Sequence, residues 1–322
     1  MAQFGFETKG TEVVAAFPDQ VKNRIFLITG PSKGGLGAAT AVSLAEGHPK
    51  ALILVGRSRA NAQPVIDEIN QKAPSVKTLF IEADFANLAS VRHAAEEIRK
   101  LDVPVDGIVA NAAVMAVPWQ KTVDGVECHF QTNHLSHFLL VNLLRERVPT
   151  QRGSRVVLVS SSVRPDAPVP SFDDWNFSDG ETYHPLEAYS QSKFANVLFA
   201  KSLAKGLSGQ HITAFSVNPG NITTNLQTYL SPELISSWLQ RKKDAGEELP
   251  LLAQQAPKSL LQGCSTALRA LLDPSLEDKS GAFLDNCQVV SLPNIDFPAG
   301  EPAAKRLWEL SERLVGQEFR LA

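Results

Sequence analysis

The 322-residue chain is poor in cysteine, nearly balanced in charge and without a long apolar run. Its three cysteines, Cys128, Cys264 and Cys287, stand far apart with no C-x-x-C pair. That spacing excludes a disulfide frame and a cysteine zinc knuckle, and it reads as reduced thiols in the cytoplasm. The formal charge is −3, from 31 Lys and Arg against 34 Asp and Glu. Such a balance argues against a nucleic-acid footprint and against a polybasic membrane face. No stretch approaches the roughly 18 apolar residues of a membrane span. The start, Met1 to Glu7, lacks the basic flank and apolar run of a signal peptide. A soluble, cytoplasmic protein with one sizeable core is expected.

What the chain does have is alternation. Apolar runs at Ile25–Thr29, Ala51–Val55, Thr78–Ile81, Gly107–Ala110, Arg155–Ser160 and Ile212–Val217 predict buried parallel strands. Helical stretches separate them at Ala38–Glu46, about Gln63–Gln71, Leu88–Leu101, Val123–Arg147 and Leu186–Leu207. Strands alternating with helices imply right-handed crossovers and an α/β, doubly wound parallel sheet covered on both faces. Residues 1–23 form a lead-in, with Thr11 a candidate N-cap, and residues 24–221 a cofactor and catalytic core. Residues 222–262 suit a small helical substrate cap, and 263–322 a helix Ser259–Leu272 running in, a strand Gly281–Leu284 and a helix Ala303–Leu314. Residues 164–185 are a loop insertion, and the whole is one domain.

The chemistry starts at Thr29-Gly30-Pro31-Ser32-Lys33-Gly34-Gly35-Leu36-Gly37, between a strand and a helix. There, glycines let backbone approach a pyrophosphate, and the helix start offers free N–H groups. An acid about 20 residues beyond the glycines would bind the ribose hydroxyl of NAD. This chain instead has Gly56-Arg57-Ser58-Arg59. Arg57 suits the 2′-phosphate of NADP(H), and Lys33 adds a second charge.

Downstream, Tyr189 and Lys193 stand four apart on one helical face. A free tyrosine titrates near pH 10, and a neighbouring ammonium favours its phenolate, so the pair suits proton transfer beside a hydride acceptor. Ser161 could bond the substrate oxygen. Asn133 could hold a water joining Lys193 to solvent.

These parts, in this order, resemble the short-chain dehydrogenase/reductase family over about Ile25 to Leu226. The resemblance implies a Rossmann fold and NADP(H) as cofactor. It also implies contacts through Gly30, Ser32, Lys33, Gly35, Leu36, Gly37, Arg57, Asp84, Asn111, Ala112, Tyr189, Lys193, Pro219, Gly220, Ile222 and Thr224. Asp84-Phe85 matches the adenine position, Asn111-Ala112-Ala113 the motif after the fourth strand, and Asn218-Pro219-Gly220 to Thr224 the nicotinamide loop. Asn133, Ser161, Tyr189 and Lys193 match the catalytic positions. The segments Asn133 to Phe138 and Pro219 to Leu226 are similar to the retinol-dehydrogenase-like and fungal reductase branch. Departures are a glycine loop one residue longer than usual, which leaves Gly34 and Gly35 competing for the middle role, and Ala113 in place of glycine. Family members often pair through two long helices, here about 123–147 and 186–207, so a homo-oligomer is an expectation.

Other features point to packing. His129, His134 and His137 share one helical stretch without a third ligand at suitable spacing, so no metal is expected. Asn176-Phe177-Ser178 and Asn221-Ile222-Thr223 match a glycosylation sequon without a secretion signal. Asp173-Asp174 and Arg241-Lys242-Lys243 read as solvated surface. Leu226, Tyr229, Leu230, Leu234, Trp238, Leu251 and Leu252 suggest a lipophilic small-molecule substrate, or ordinary cap packing. Fold alone leaves open a non-redox step such as cyclisation or isomerisation, or a scaffold without turnover. The intact catalytic set favours redox work on a carbonyl or alcohol.

Overall fold

The computed structural model describes residues 3–150, 153–163, 169–247 and 256–320. The expected Leu251 and Leu252 lie outside them.

The first strands form where apolar runs are buried on both sides: β1 (Ile25–Thr29) and β2 (Ala51–Gly56) have no exposed residue. β3 (Lys77–Glu82), β4 (Gly107–Ala110), β5 (Ser154–Val159) and β6 (Ile212–Asn218) follow. Beyond two short strands, β7 (Asn221–Ile222) and β8 (Pro257–Lys258), come β9 (Phe283–Asp285) and β10 (Gln288–Val290). The main sheet runs β10-β9-β6-β5-β4-β1-β2-β3. All its pairs are parallel except β9 with β10. The order reverses at β1, where a doubly wound sheet opens a crevice at its strand ends.

The helices are α1 (Gly10–Ala16), α2 (Leu36–Ala45), α3 (Arg59–Lys72), α4 (Leu88–Lys100), α5 (Ser136–Leu144), α6 (Pro185–Gly206), α7 (Pro232–Asp244), α8 (Leu260–Gly263), α9 (Ser265–Leu272) and α10 (Glu301–Val315). Two apolar layers result. One packs β1, β4 and β5 against α4, α5, α6 and α10. The other seats α1, α2, α3 and α9 on the opposite face.

Several expected bounds move. The lead-in helix starts at Gly10 because the Glu12 carboxylate accepts from the Lys9 N–H at 2.6 Å, so Thr11 lies inside the helix. Gly10 itself is pressed against α9, where a Cβ would lie 2.4 Å from the Cys264 Sγ. The stretch Val123–Arg147 is not one helix. Val123–Gly125 form an exposed turn, and the Glu127 carboxylate caps the helix by accepting from the His129 and Phe130 N–H groups at 2.9 and 2.7 Å. Phe130–Leu135 then wind as a π-helix before α5 begins. Ser259–Leu272 breaks at Cys264 into α8 and α9. The β9–β10 hairpin was not expected; its turn residues Asn286 and Cys287 both take left-handed backbone, φ +48° and +61°, as a two-residue hairpin requires.

The pairing face expected for a second copy is filled by the chain itself. Trp308 of α10 packs edge-on to Phe138 of α5 at 4.8 Å and lies 6.0 Å from Phe199 of α6.

Candidate active site

β1 ends in the glycine loop. Gly30 holds φ +71°, and a Cβ there would lie 2.9 Å from the Ala112 Cα. Glycine alone allows that backbone and that approach. At Gly37 a Cβ would meet the Gly30 carbonyl at 2.3 Å, so the first turn of α2 rests on the loop. Gly35 caps α2 in extended backbone, and no side chain covers this helix start. Gly34 absorbs the additional residue in a left-handed turn, φ +78°, facing Asn225.

A cavity of about 330 Å³ opens over this start. Gly30, Ser32, Gly35 and Leu36 form its floor, and Arg57, Ser58 and Asn61 one end. Asp84, Asn111 and Ala112 line the middle, and Thr224 the far wall. The structure therefore gathers most of the expected cofactor residues. Free helix N–H groups, a glycine floor and an arginine at one end fit a dinucleotide phosphate. Others stand apart from this cavity. Lys33 is exposed, and its carbonyl accepts from Asn225 at 3.0 Å. Ile222 is buried against α8 and Leu36. Gly220 turns with φ +93°, its N–H held by the Asn218 Oδ1 at 3.0 Å.

Thr29 ties the floor to the catalytic side. Its Oγ1 accepts from the Asn111 and Ala112 N–H groups at 2.8 Å each and meets His137 Nε2 at 2.9 Å. His137 Nδ1 contacts the Asn133 carbonyl at 3.0 Å. A carbonyl only accepts, so Nδ1 carries the proton and Nε2 accepts from Thr29. Burial pushes His137 down to about 4, holding it neutral. His134 is likewise lowered, to about 3, by burial, and meets the Ser311 hydroxyl at 2.9 Å. These rings are structural, and among the described residues no cluster suits a metal.

α6 carries the proton chemistry. His184 caps it, Pro185 opens it, and Tyr189, Ser192, Lys193 and Asn196 share its inner face. The Ser161 hydroxyl stands near enough to Tyr189 to favour its phenolate. Ser160 is spent structurally, its hydroxyl donating to the Lys193 carbonyl at 2.6 Å. Lys193 donates to the Val159 carbonyl at 2.9 Å, and its ammonium lies 5.8 Å from the Tyr189 ring centre. Burial pushes Lys193 down to about 7. Tyr189 is pushed up to about 12 by burial, opposed by Ser161. Burial is thus the larger influence on the phenol, ahead of Ser161.

Asn133 is tied to its neighbours. Its side chain accepts from the Val114 N–H at 2.8 Å and donates to the Val114 carbonyl at 3.0 Å and the Ser192 hydroxyl at 2.9 Å. Both amide N–H groups are engaged, and Oδ1 keeps one open lone pair. Its carbonyl reaches Lys193 another way: Asn196 donates to it at 3.0 Å and contacts the Val159 carbonyl at 3.3 Å. Asn196 and Ser192 were missed in the sequence, although Asn196 follows Tyr189 by seven residues and so shares its helical face.

Around Tyr189 lies an apolar wall of Met115, Ala116 and Leu186, with Leu226, Leu230, Leu234, Ile235 and Trp238 from the cap. Tyr229 points away, 56% exposed. Arg241 and Lys242 are not free surface: they reach Glu187 of α6 at 3.2 and 3.8 Å and tie α7 beside the active face.

The model of the short chain dehydrogenase family matches residues 24–172. The WW domain-containing oxidoreductase of Homo sapiens is 33% identical over 307 residues, covering 92% of this chain and 69% of that protein. Retinol dehydrogenase 14 of Mus musculus is 31% identical over 310 residues, covering 93% and 88%. A crystal structure of an uncharacterized protein from Mycobacterium Paratuberculosis superposes with a TM-score of 0.69 at 30% identity, covering 95% of this chain and 98% of that one. No helix among the described residues is long and apolar enough to cross a membrane. The chain belongs to the short-chain dehydrogenase/reductase family, in its retinol-dehydrogenase-like branch, and is an NAD(P)-dependent oxidoreductase acting on a small molecule.

Proposed function

We propose that the enzyme uses NADP(H) to interconvert a carbonyl and an alcohol on a lipophilic small molecule, with Tyr189 moving the proton. One observation carries this reading: Tyr189, with Ser161 nearby and Lys193 behind it, faces an apolar wall from Met115 to Trp238. Gly30, Gly35 and Arg57 would hold NADPH, which would supply the hydride, and the substrate oxygen would then carry negative charge. Tyr189 is fully protonated at neutral pH, so it is ready to donate to that oxygen. Ser161 orients the phenol and can bond the same oxygen. In the oxidising direction Tyr189 must first lose its proton, and a charged Lys193 favours the phenolate that forms. Asn133 acts through its carbonyl, with Asn196 and Val159 joining it to Lys193. Arg57 at the cavity end, with no acid after β2, supports the 2′-phosphate and hence NADP.

The lipophilic reading rests on the cap residues and on a relative whose name says that it acts on retinol, a lipophilic alcohol. The test is NADPH oxidation across ketones, aldehydes and quinones of graded chain length, with Tyr189→Phe as control. Turnover should rise with apolar length and vanish in the variant. Equal turnover of short and long substrates would refute the lipophilic assignment.

A further inference from the structure

We propose that Lys258 holds a small oxyanion, a carboxylate or a phosphate, in a cavity behind the loop that joins β6 to β7. Lys258 lies on β8, in register with Ile222 of β7. It is only 6% exposed, and its Nζ has no hydrogen-bond partner among the described residues. Its stem runs past Gly220, where a Cβ would meet the Lys258 Cδ at 2.9 Å and Nζ at 3.4 Å. The ammonium ends 4.9 Å from the centre of the Phe6 ring. Gly220 and Phe6 are both walls of a cavity of about 280 Å³, with Asn221 and Asn286. Lys258 lines that space with them.

A buried cation without a partner is costly, and a contact with a phenyl ring returns only part of that cost. Asp285 and Glu7 lie near enough to favour the charged form, as does Cys287, yet burial still lowers the Lys258 pKa. Neither carboxylate turns to the ammonium. Asp285 Oδ1 accepts from Asn218 Nδ2 at 3.1 Å, and Glu7 Oε2 accepts from Gln262 Nε2 at 2.7 Å. Cys287 is engaged with the Ser265 hydroxyl at 3.2 Å. One cation in a cavity also lined by Asn286 suits an anion with several lone pairs and a small volume. The cavity is distinct from that over the glycine loop and shares no residue with it. Because the lysine stem abuts Gly220, an anion that fixes the ammonium would also restrain the β6–β7 loop. Site and loop are then coupled, and the coupling is reciprocal.

The proposal does not depend on the assignment of Tyr189. It is tested by the thermal midpoint of the full chain titrated with inorganic phosphate or with acetate, against sodium chloride at equal ionic strength. Binding to the folded state should raise the midpoint, by about 2 °C at ten times the dissociation constant. The rise should persist in Lys258→Arg and be lost in Lys258→Met. Phosphate and acetate arms separate the two anion classes. A rise that is the same in Lys258→Met, as phosphate held at the glycine loop would give, overturns the proposal, and so does no rise with either anion. Asn286→Asp supplies a carboxylate from the protein; its midpoint should start higher than the parent's and respond less to added anion.

Discussion

The ammonium of Lys193 donates to the Val159 carbonyl at 2.9 Å while standing 5.8 Å from the centre of the Tyr189 ring. It is 3% exposed, and burial lowers its pKa from 10.5 to about 7. In the unfolded chain the same amine keeps its proton to pH 10.5. Between these values the unfolded state binds more protons, so stability must rise with pH from about 7 to 10.5. Lys193→Met removes that dependence. Urea unfolding at pH 7 and pH 9 should show the parent gaining on the order of 2 kcal/mol relative to the variant. Equal pH slopes would show that Lys193 is not held partly neutral by the fold.

Tyr189→Phe leaves the ring and its apolar contacts but removes the hydroxyl that stands near Ser161. Turnover should fall by about 10²–10⁴, the range for losing a positioned proton donor. Binding of NADPH, followed by fluorescence, should stay within about twofold, a change under roughly 0.5 kcal/mol. Retained turnover would remove Tyr189 from the proton path.

The parts legible in the sequence were those fixed by local pattern. β1 through β6 are apolar runs bounded by turns, and each strand is found within a residue or two of its expected place. The Tyr189–Lys193 spacing needed only helical geometry. What stayed hidden depends on contacts between distant segments. The π-turn at Phe130–Leu135 is buried on every side, so no polar face marks the change of period. The commitment of Asn133 to Val114 and Ser192 joins three elements, and no spacing rule announces it. Val159 acts through its carbonyl, which every residue has. β10 was missed because Gln288 and Val289 are exposed and Asn286-Cys287 is not a glycine turn.

Arg57 stands at the end of the 330 Å³ cavity beside Ser58 and Asn61, where an acid would serve NAD. Arg57→Asp exchanges a cation for that acid. Affinity for NADPH should fall roughly tenfold or more, from loss of a charge-assisted contact and gain of repulsion. Affinity for NADH should change much less. Titration of both nucleotides against parent and variant decides the matter, and an unchanged ratio would reject the 2′-phosphate role.

α10 covers the face of α5 and α6 through which relatives were expected to pair. Trp308 contacts Phe138 and Phe199, and Ser311 meets His134. A second copy could reach that face only by displacing α10 and exposing Leu307, Trp308 and Leu310, which are at most 9% exposed. Burying such side chains is worth about 1.5–3 kcal/mol each, more than a weak pairing surface returns. Light scattering should therefore give the mass of one chain at micromolar concentration. Trp308→Ala should lower stability by about 3–5 kcal/mol, the usual cost of emptying a large core site. A parent that dimerises, with Trp308→Ala reverting to one chain at unchanged stability, would place Trp308 between copies and reverse this assignment.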